Sequence, residues 1–360
     1  MRRYITAAVL PPMLVGVLLS AGCAGVAPAP ATALPAACAS GLPAEGTPEL
    51  LPAERPAGRA ALAYQVGYEA PIWLVTSTGE RYTMPPLPPR PAQSPDPQAS
   101  ELPEPLPPEP PRHDSVRDLR LSPDGRWLAR AVHGTVELRD LTGTRVEQLP
   151  DSFNFHWSPD GRWLVLQREH GGDRLLLSRY DLTRGGVQEW AQPVPNMTWH
   201  LLGVRPDGST VLRGSHELAG GGGEQNPHGV DESWLVLDRD GHEVTRGTLP
   251  ARHSLILLTG DTLVGVGGGR GEQDAEPAVT AAFALVGGAP RWTVTHPPHR
   301  LGLSYGIAGN LGGVPVIMQS FERGSPDLAE TVELYTVDPA SGRTTLACLI
   351  PERSEVVLPR

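Results

Sequence analysis

The chain has 360 residues, 40 of them proline and 41 glycine, with a formal charge of -10, and its 30 basic residues are all arginine. With no lysine anywhere, a Walker A lysine, a Schiff-base lysine and a serine–lysine dyad are excluded. The acidic balance, which becomes -12 (the -10 less two positive charges) if Arg2 and Arg3 leave with a signal peptide, argues against wholesale binding to nucleic acid or to an anionic membrane surface.

The N-terminus runs from Arg2-Arg3 through an apolar stretch at 7–19 to the small residues Ser20-Ala21-Gly22 ahead of Cys23. This is the layout of a secretory signal, and the apolar stretch is too short for a permanent membrane span. It resembles the lipobox of bacterial lipoproteins, although Ser20 stands where an aliphatic residue is usual and Leu19 lies one place early. The resemblance implies a signal peptide over 1–22 and a diacylglycerol on the Cys23 thiol. The membrane is then a partner through a lipid anchor. The protein would be exported to the outer face of the cell membrane, or secreted if Cys23 is not lipidated, with the general and twin-arginine routes both open.

Residues 23–61, rich in Ala, Pro, Thr and Gly and without apolar periodicity, read as a flexible tether. Strands begin at Leu62, and 62–359 is expected to be one β domain with a Pro-rich insert at 85–112. That insert holds 13 prolines between 85 and 111, a density that neither sheet nor helix tolerates. An extended segment, polyproline II in part, is expected there. It reads as a solvated spacer, a ligand for a Pro-reading domain being the alternative.

Two β-rich runs flank a Gly-containing turn six times, at Thr78-Gly79, Thr142-Gly143, Arg184-Gly185, Asp240-Gly241, Gly287-Gly288 and Ser341-Gly342. Such runs are the signal of antiparallel hairpins. Inner hairpins precede them at the Pro-Asp-Gly turns of Asp124, Asp160 and Asp207, at Gly260-Asp261, and more loosely around 309–313. Pro presets φ, Asp bonds its own backbone and Gly supplies positive φ, so Pro-Asp-Gly makes a tight turn by a local mechanism. Asp124 to Asp160 is 36 residues and Asp160 to Asp207 is 47, a spacing that suits four-stranded propeller blades. The fold expected is all-β: a six-bladed β-propeller of four-stranded antiparallel blades. The first blade lacks an inner pair, so the spare apolar run Glu355-Val356-Val357-Leu358 is expected to join it and close the ring.

The motif Ser-Pro-Asp-Gly-Arg-Trp at 122–127 and 158–163, kept as Pro206-Asp207-Gly208 in a third copy, resembles the repeats of TolB-type six-bladed propellers. These repeats also occur in the propeller domain of prolyl oligopeptidases. The resemblance implies an exported or membrane-attached scaffold that offers a channel mouth or side face to partners, and it implies no shared chemistry. Cys38 and Cys348, an even pair in an oxidising compartment once Cys23 is lipidated, are expected to form a disulfide that clips the tether to the last blade. Two unrelated thiols are the alternative.

Candidate chemistry is sparse. Gly302-Leu303-Ser304-Tyr305-Gly306 has the nucleophile-elbow pattern, but no histidine follows Ser304, and a helix and a later His are both required. No catalytic residue is therefore assigned, and no cofactor or metal. His296-Pro-Pro-His299 has two imidazoles separated by prolines and without an acidic or Cys partner, so it reads as a surface loop rather than a zinc site. The run 265–271 lacks dinucleotide-fingerprint spacing and reads as a loop. Trp127, Trp157, Trp163, Trp199 and Trp234 lie in or beside strands, where packing between blades and a carbohydrate-stacking row are both open. The candidate binding loop runs from Gly220 to Glu232, with Glu224, His228, Asp231 and Glu232 able to meet a cation or polar ligand; an unselected loop is the alternative. The function expected is a non-enzymatic binding scaffold for a protein or envelope component. The second reading is a propeller enzyme acting on glycan or peptide through channel-mouth carboxylates, which would carry raised pKa values.

Overall fold

The computed structural model describes residues 48–67, 70–86, 115–150, 152, 154–170, 174–193, 199–215, 232–248, 253–267, 279–296, 303–311, 314–321, 331–351 and 354–359, with a few positions between 34 and 46. The turns explain the strands. The Ser122 hydroxyl accepts the Trp127 N–H at 2.8 Å and donates to Asp124 Oδ1 at 2.7 Å, and that oxygen also accepts the Arg126 N–H at 3.0 Å. The Gly125 N–H closes on the Ser122 carbonyl at 2.8 Å, with a φ of 66° that glycine adopts without strain. The second copy repeats this arrangement, with Trp163 N–H to Ser158 Oγ at 2.9 Å and Arg162 N–H to Asp160 Oδ1 at 3.1 Å. In the third, Arg205 replaces the serine and Asp207 takes the Ser209 N–H at 2.9 Å. Side chains local to each turn thus set the hairpin register before any blade meets another.

Blade 1 contains β1 (Glu49–Leu50), β2 (Ala60–Val66), β3 (Trp73–Thr76) and β4 (Arg81–Thr83). Blade 2 contains β5 (Leu119–Leu121), β6 (Trp127–Val132), β7 (Thr135–Asp140) and β8 (Val146–Leu149). Blade 3 contains β9 (Asn154–Trp157), β10 (Trp163–His170), β11 (Arg174–Asp181) and β12 (Val187–Pro193). Blade 4 contains β13 (Trp199–Val204), β14 (Thr210–Ser215), β15 (Glu232–Leu237) and β16 (Glu243–Thr248). Blade 5 contains β17 (His253–Thr259), β18 (Thr262–Gly267), β19 (Val279–Ala284) and β20 (Pro290–Thr295). Blade 6 contains β21 (Leu303–Leu311), β22 (Val314–Phe321), β23 (Thr331–Val337) and β24 (Thr344–Pro351), and β25 (Ser354–Val357) follows it. Blades 2 to 6 are four-stranded and run in chain order from the innermost strand outward.

Blade 1 has five strands in the order β1-β4-β3-β2-β25. The C-terminal β25 pairs antiparallel with β2, Ala63 opposite Val357 and Val66 opposite Ser354. The ring is a closed six-bladed propeller.

At its other edge β1 pairs parallel with β4, and Leu51 and Ala57 enter the blade core. These residues were expected to be tether. They pack because the outer edge of blade 1 offers unpaired backbone and because the leucine and alanine are apolar; a two-residue strand among prolines leaves no periodicity to read.

The core lies between blades. Trp127, Leu138, Phe155, Trp157, Leu164 and Tyr180 form one such cluster between blades 2 and 3. Polar side chains cross the next seam: Gln167 Nε2 donates to the Trp199 carbonyl at 2.8 Å, Gln167 Oε1 accepts the Leu201 N–H, and Asn154 Nδ2 donates to the Leu201 carbonyl at 2.8 Å. Gln65 does the same from blade 1, accepting the Val116 N–H at 3.0 Å ahead of β5. Trp127, Trp157 and Trp234 are buried, and Trp163 and Trp199 partly so, which assigns the first three to packing. Trp234 lies over Gly247 of the neighbouring strand, where an added Cβ would stand 2.2 Å from the ring.

Candidate functional site

Antiparallel blades sort their connections to two ends of the ring. At one end emerge the first-to-second and third-to-fourth connections, such as 122–126, 141–145, 158–162, 182–186, 205–209 and 238–242, none longer than the six residues of 338–343. Asp140, Asp181, Asp238 and Asp338 each head one of these turns and accept the N–H two residues on, at 2.9 Å in all four. In blades 2 and 3 the motif arginine reaches across to that aspartate, Arg126 to Asp140 at 2.6 Å and Arg162 to Asp181 at 2.9 Å. Other arginines cross between blades, Arg59 to Asp124 at 2.7 Å and Arg205 to Asp261 at 2.7 Å. Each motif tryptophan carries two guanidinium groups: Arg126 and Arg145 at 5.2 and 5.6 Å from the Trp127 ring, and Arg162 and Arg179 at 4.5 and 4.6 Å from Trp163. The turns of this end are cross-linked by their own hydrogen bonds and ion pairs.

The electrostatics agree. Burial opposes ionisation of Asp140 and Asp181, but an arginine with threonine hydroxyl and N–H donors outweighs it and holds both carboxyls below the usual range. Asp207 is likewise held down against burial by Ser209, and Asp238, Glu243 and Asp338 by hydrogen bonds from His242, Arg246 and Ser341. The described carboxyls whose pKa values move all move down. Asp238, Asp240 and His242 offer metal-type ligand atoms within 4.8 Å of one another. Asp238 Oδ1 is committed to the Asp240 and His242 N–H groups at 2.9 and 2.8 Å, which accounts for the cluster as turn structure.

At the opposite end emerge the second-to-third and blade-to-blade connections, among them 84–118, 216–231, 268–278 and 322–330. The candidate loop belongs here. Glu224, His228 and Asp231 lie outside the described residues, and Glu232 opens β15 opposite Ser215. The three connections 216–231, 268–278 and 322–330 each carry three carboxylates in sequence and together only two arginines, Arg270 and Arg323.

Other sequence candidates fall into the framework. Ser304 lies inside β21, a strand, and not at the strand-to-helix turn an elbow needs. His296 is buried, with Nε2 2.7 Å from Thr280 Oγ1, and burial pushes its pKa down to about 4; His299 lies outside the described residues. The run at 265–271, expected to be a loop, instead starts as strand, because β18 extends to Gly267 opposite Val279. Cys23 lies outside the described residues, whereas Cys38 and Cys348 are buried together in one core cluster. Sequence reasoning missed the turn-heading aspartates, although each precedes its turn glycine at a short, repeated distance, and it missed Gln65 and Gln167, for which a lone glutamine in an apolar strand gives no signal.

No family model matches the chain, and no curated protein matches it either. Among solved structures, TolB from Acinetobacter baumannii is 13% identical with a TM-score of 0.47, covering 84% of this chain and 67% of that one. The acylaminoacyl peptidase of Pyrococcus horikoshii is 13% identical with a TM-score of 0.41 over 61% of this chain, which spans only 36% of that protein. The propeller domain of a trilobed protease from Pyrococcus furiosus, described as having an open velcro topology, is 13% identical with a TM-score of 0.39, over 64% of this chain and 70% of that one.

Proposed function

We propose that this chain is a non-catalytic binding scaffold, held at the outer face of a bacterial membrane by a lipid on Cys23, which engages a protein or envelope component through the end of the ring that carries the long connections. The observation that carries this reading is the inequality of the two ends. One is made of short turns cross-linked by their own hydrogen bonds and ion pairs, and the other joins its strands through long segments rich in carboxylates. Loops of that kind on a rigid ring are where binding concentrates. A glycan- or peptide-cleaving propeller would call for a carboxylic acid held protonated at a mouth.

The test is a pull-down from envelope extract with the mature full-length chain, beside a variant carrying Glu224→Ala, His228→Ala, Asp231→Ala and Glu232→Ala. A specific partner retained by the parent and lost by the variant is expected. Saccharide or peptide turnover by the parent, with no partner captured, would overturn the reading. For the anchor, Cys23→Ser is expected to move the protein from the membrane pellet to the soluble fraction; an unchanged pellet would overturn lipidation at that residue.

A further inference from the structure

A propeller ring has one seam that the chain itself does not cross. Here it lies between β2 of blade 1 and β25, held by backbone pairs from Ala63–Val357 to Val66–Ser354. The described residues between 38 and 46 lie over that seam as a strap. The Cys38 N–H bonds the Pro35 carbonyl at 2.9 Å, the Gly41 N–H bonds the Cys38 carbonyl at 3.3 Å, and the Leu42 N–H bonds the Leu349 carbonyl of β24 at 3.0 Å. From blade 1, Tyr64 Oη donates to the Pro43 carbonyl at 3.0 Å, and Gly46 sits where a Cβ would come 3.2 Å from the Trp73 ring. Cys38 and Leu42 share one buried cluster with Leu62, Tyr64 and Trp73 of blade 1 and with Cys348 and Ile350 of β24. Within it both thiols are free, the Cys348 thiol donating to the Leu349 carbonyl at 3.8 Å, and the interaction between the two sulfurs pushes the Cys348 pKa up and that of Cys38 down. Their exposures are 1% and 0%.

We infer that Cys38 and Cys348 form a disulfide that makes the closed ring covalent, a role resting on the exported, oxidising location proposed above. The chain upstream of blade 1 would be joined to blade 6, holding β24, from which β25 continues, beside blade 1. Forming the bond breaks two S–H bonds and makes one S–S bond. Two protons and two electrons pass to the disulfide of a thiol–disulfide oxidoreductase, which leaves as a dithiol. Because both sulfurs are buried in the folded ring, the exchange belongs to folding, before the strap closes over the seam.

The experiment uses the full-length chain in two preparations: one isolated from its own envelope fraction, and one refolded in a glutathione redox buffer. Each is denatured with iodoacetamide and no reductant, digested and mapped by mass spectrometry. The expected result is the Cys38 and Cys348 peptides joined in both preparations and separated by reductant. Both residues alkylated in the envelope material but joined after refolding would overturn the native bond and locate the error in the proposed compartment. Both alkylated in the two preparations would overturn the geometry. For the role in closure, limited proteolysis compares oxidised parent with Cys38→Ser, and loss of the C-terminal strand is expected to be at least about tenfold faster in the variant. Equal rates would overturn the claim that the bond secures the seam.

Discussion

Gln167→Leu is expected to weaken the seam between blades 3 and 4 through the two backbone groups its amide serves. The glutamine is fully buried, and its amide serves the Trp199 carbonyl and the Leu201 N–H at once, so that one side chain takes the place of a missing pair of strand bonds. Leucine fills a similar volume but leaves both backbone groups without that partner. A buried donor left unmade costs about 1–3 kcal/mol, and the half-buried carbonyl adds roughly 1 kcal/mol. Burying leucine's extra apolar surface returns on the order of 1 kcal/mol. The net expectation is a loss of roughly 1–3 kcal/mol. Urea unfolding followed by tryptophan fluorescence should show a lower midpoint at unchanged slope, since the surface exposed on unfolding is the same. Asn154→Ala, which removes the neighbouring bond to the Leu201 carbonyl, should couple with it in a double-mutant cycle. A Gln167→Leu midpoint within error of the parent would refute the reasoning, because it would mean that the two backbone groups find other partners at no cost.

Gly247→Val is expected to destabilise by about 2 kcal/mol or more and to alter the near-ultraviolet dichroism of Trp234, whose ring occupies the space a Cβ would need; an unperturbed spectrum counts against it. Ser122→Ala removes the hydroxyl that accepts the Trp127 N–H and donates to Asp124, and a loss of roughly 1–2 kcal/mol in thermal or urea unfolding is the expected outcome. The folded pKa of His296, about 4, lies below its ordinary 6.5, so the unfolded chain takes the proton first. Its contribution is whole above pH 6.5 and lost as pH falls towards 4, by at most about 3 kcal/mol. Asp140 and Asp181, held below the usual carboxyl range, add a further loss in stronger acid. A stability profile flat from pH 7 to 4, or one in which His296→Asn changes nothing, would contradict the His296 assignment.

What could be read from the sequence was what local chemistry decides. Pro123-Asp124-Gly125 and its copies form turns with bonds internal to five or six residues, so the hairpins, their count and the spare strand at 354–357 were all legible. The strap and β1 were not, because the strap is held by contacts to Leu349, Tyr64 and Trp73, and β1 by its pairing with β4, far away in sequence, and neither has a period of its own. The interblade arginines follow the same rule: Arg59 and Asp124 are 65 residues apart, and nothing in either segment announces the other. At the candidate loop, Glu224, His228 and Asp231 were legible as polar groups on a long connection, but sequence spacing alone could not say whether they converge.

The strap also sets the direction in which the ring bears load. A tether running back from residue 34 towards a membrane would pull first on the segment that bonds Leu349 and Tyr64, and only afterwards on β1 at the blade edge. Force arriving at the blade edge would peel β1 from β4 one pair at a time, the mode in which a sheet is weakest. Force arriving at the strap would instead be shared between blade 6 and blade 1, through the Leu349 and Tyr64 bonds, so that a pull from the N-terminal side would brace the two blades against each other.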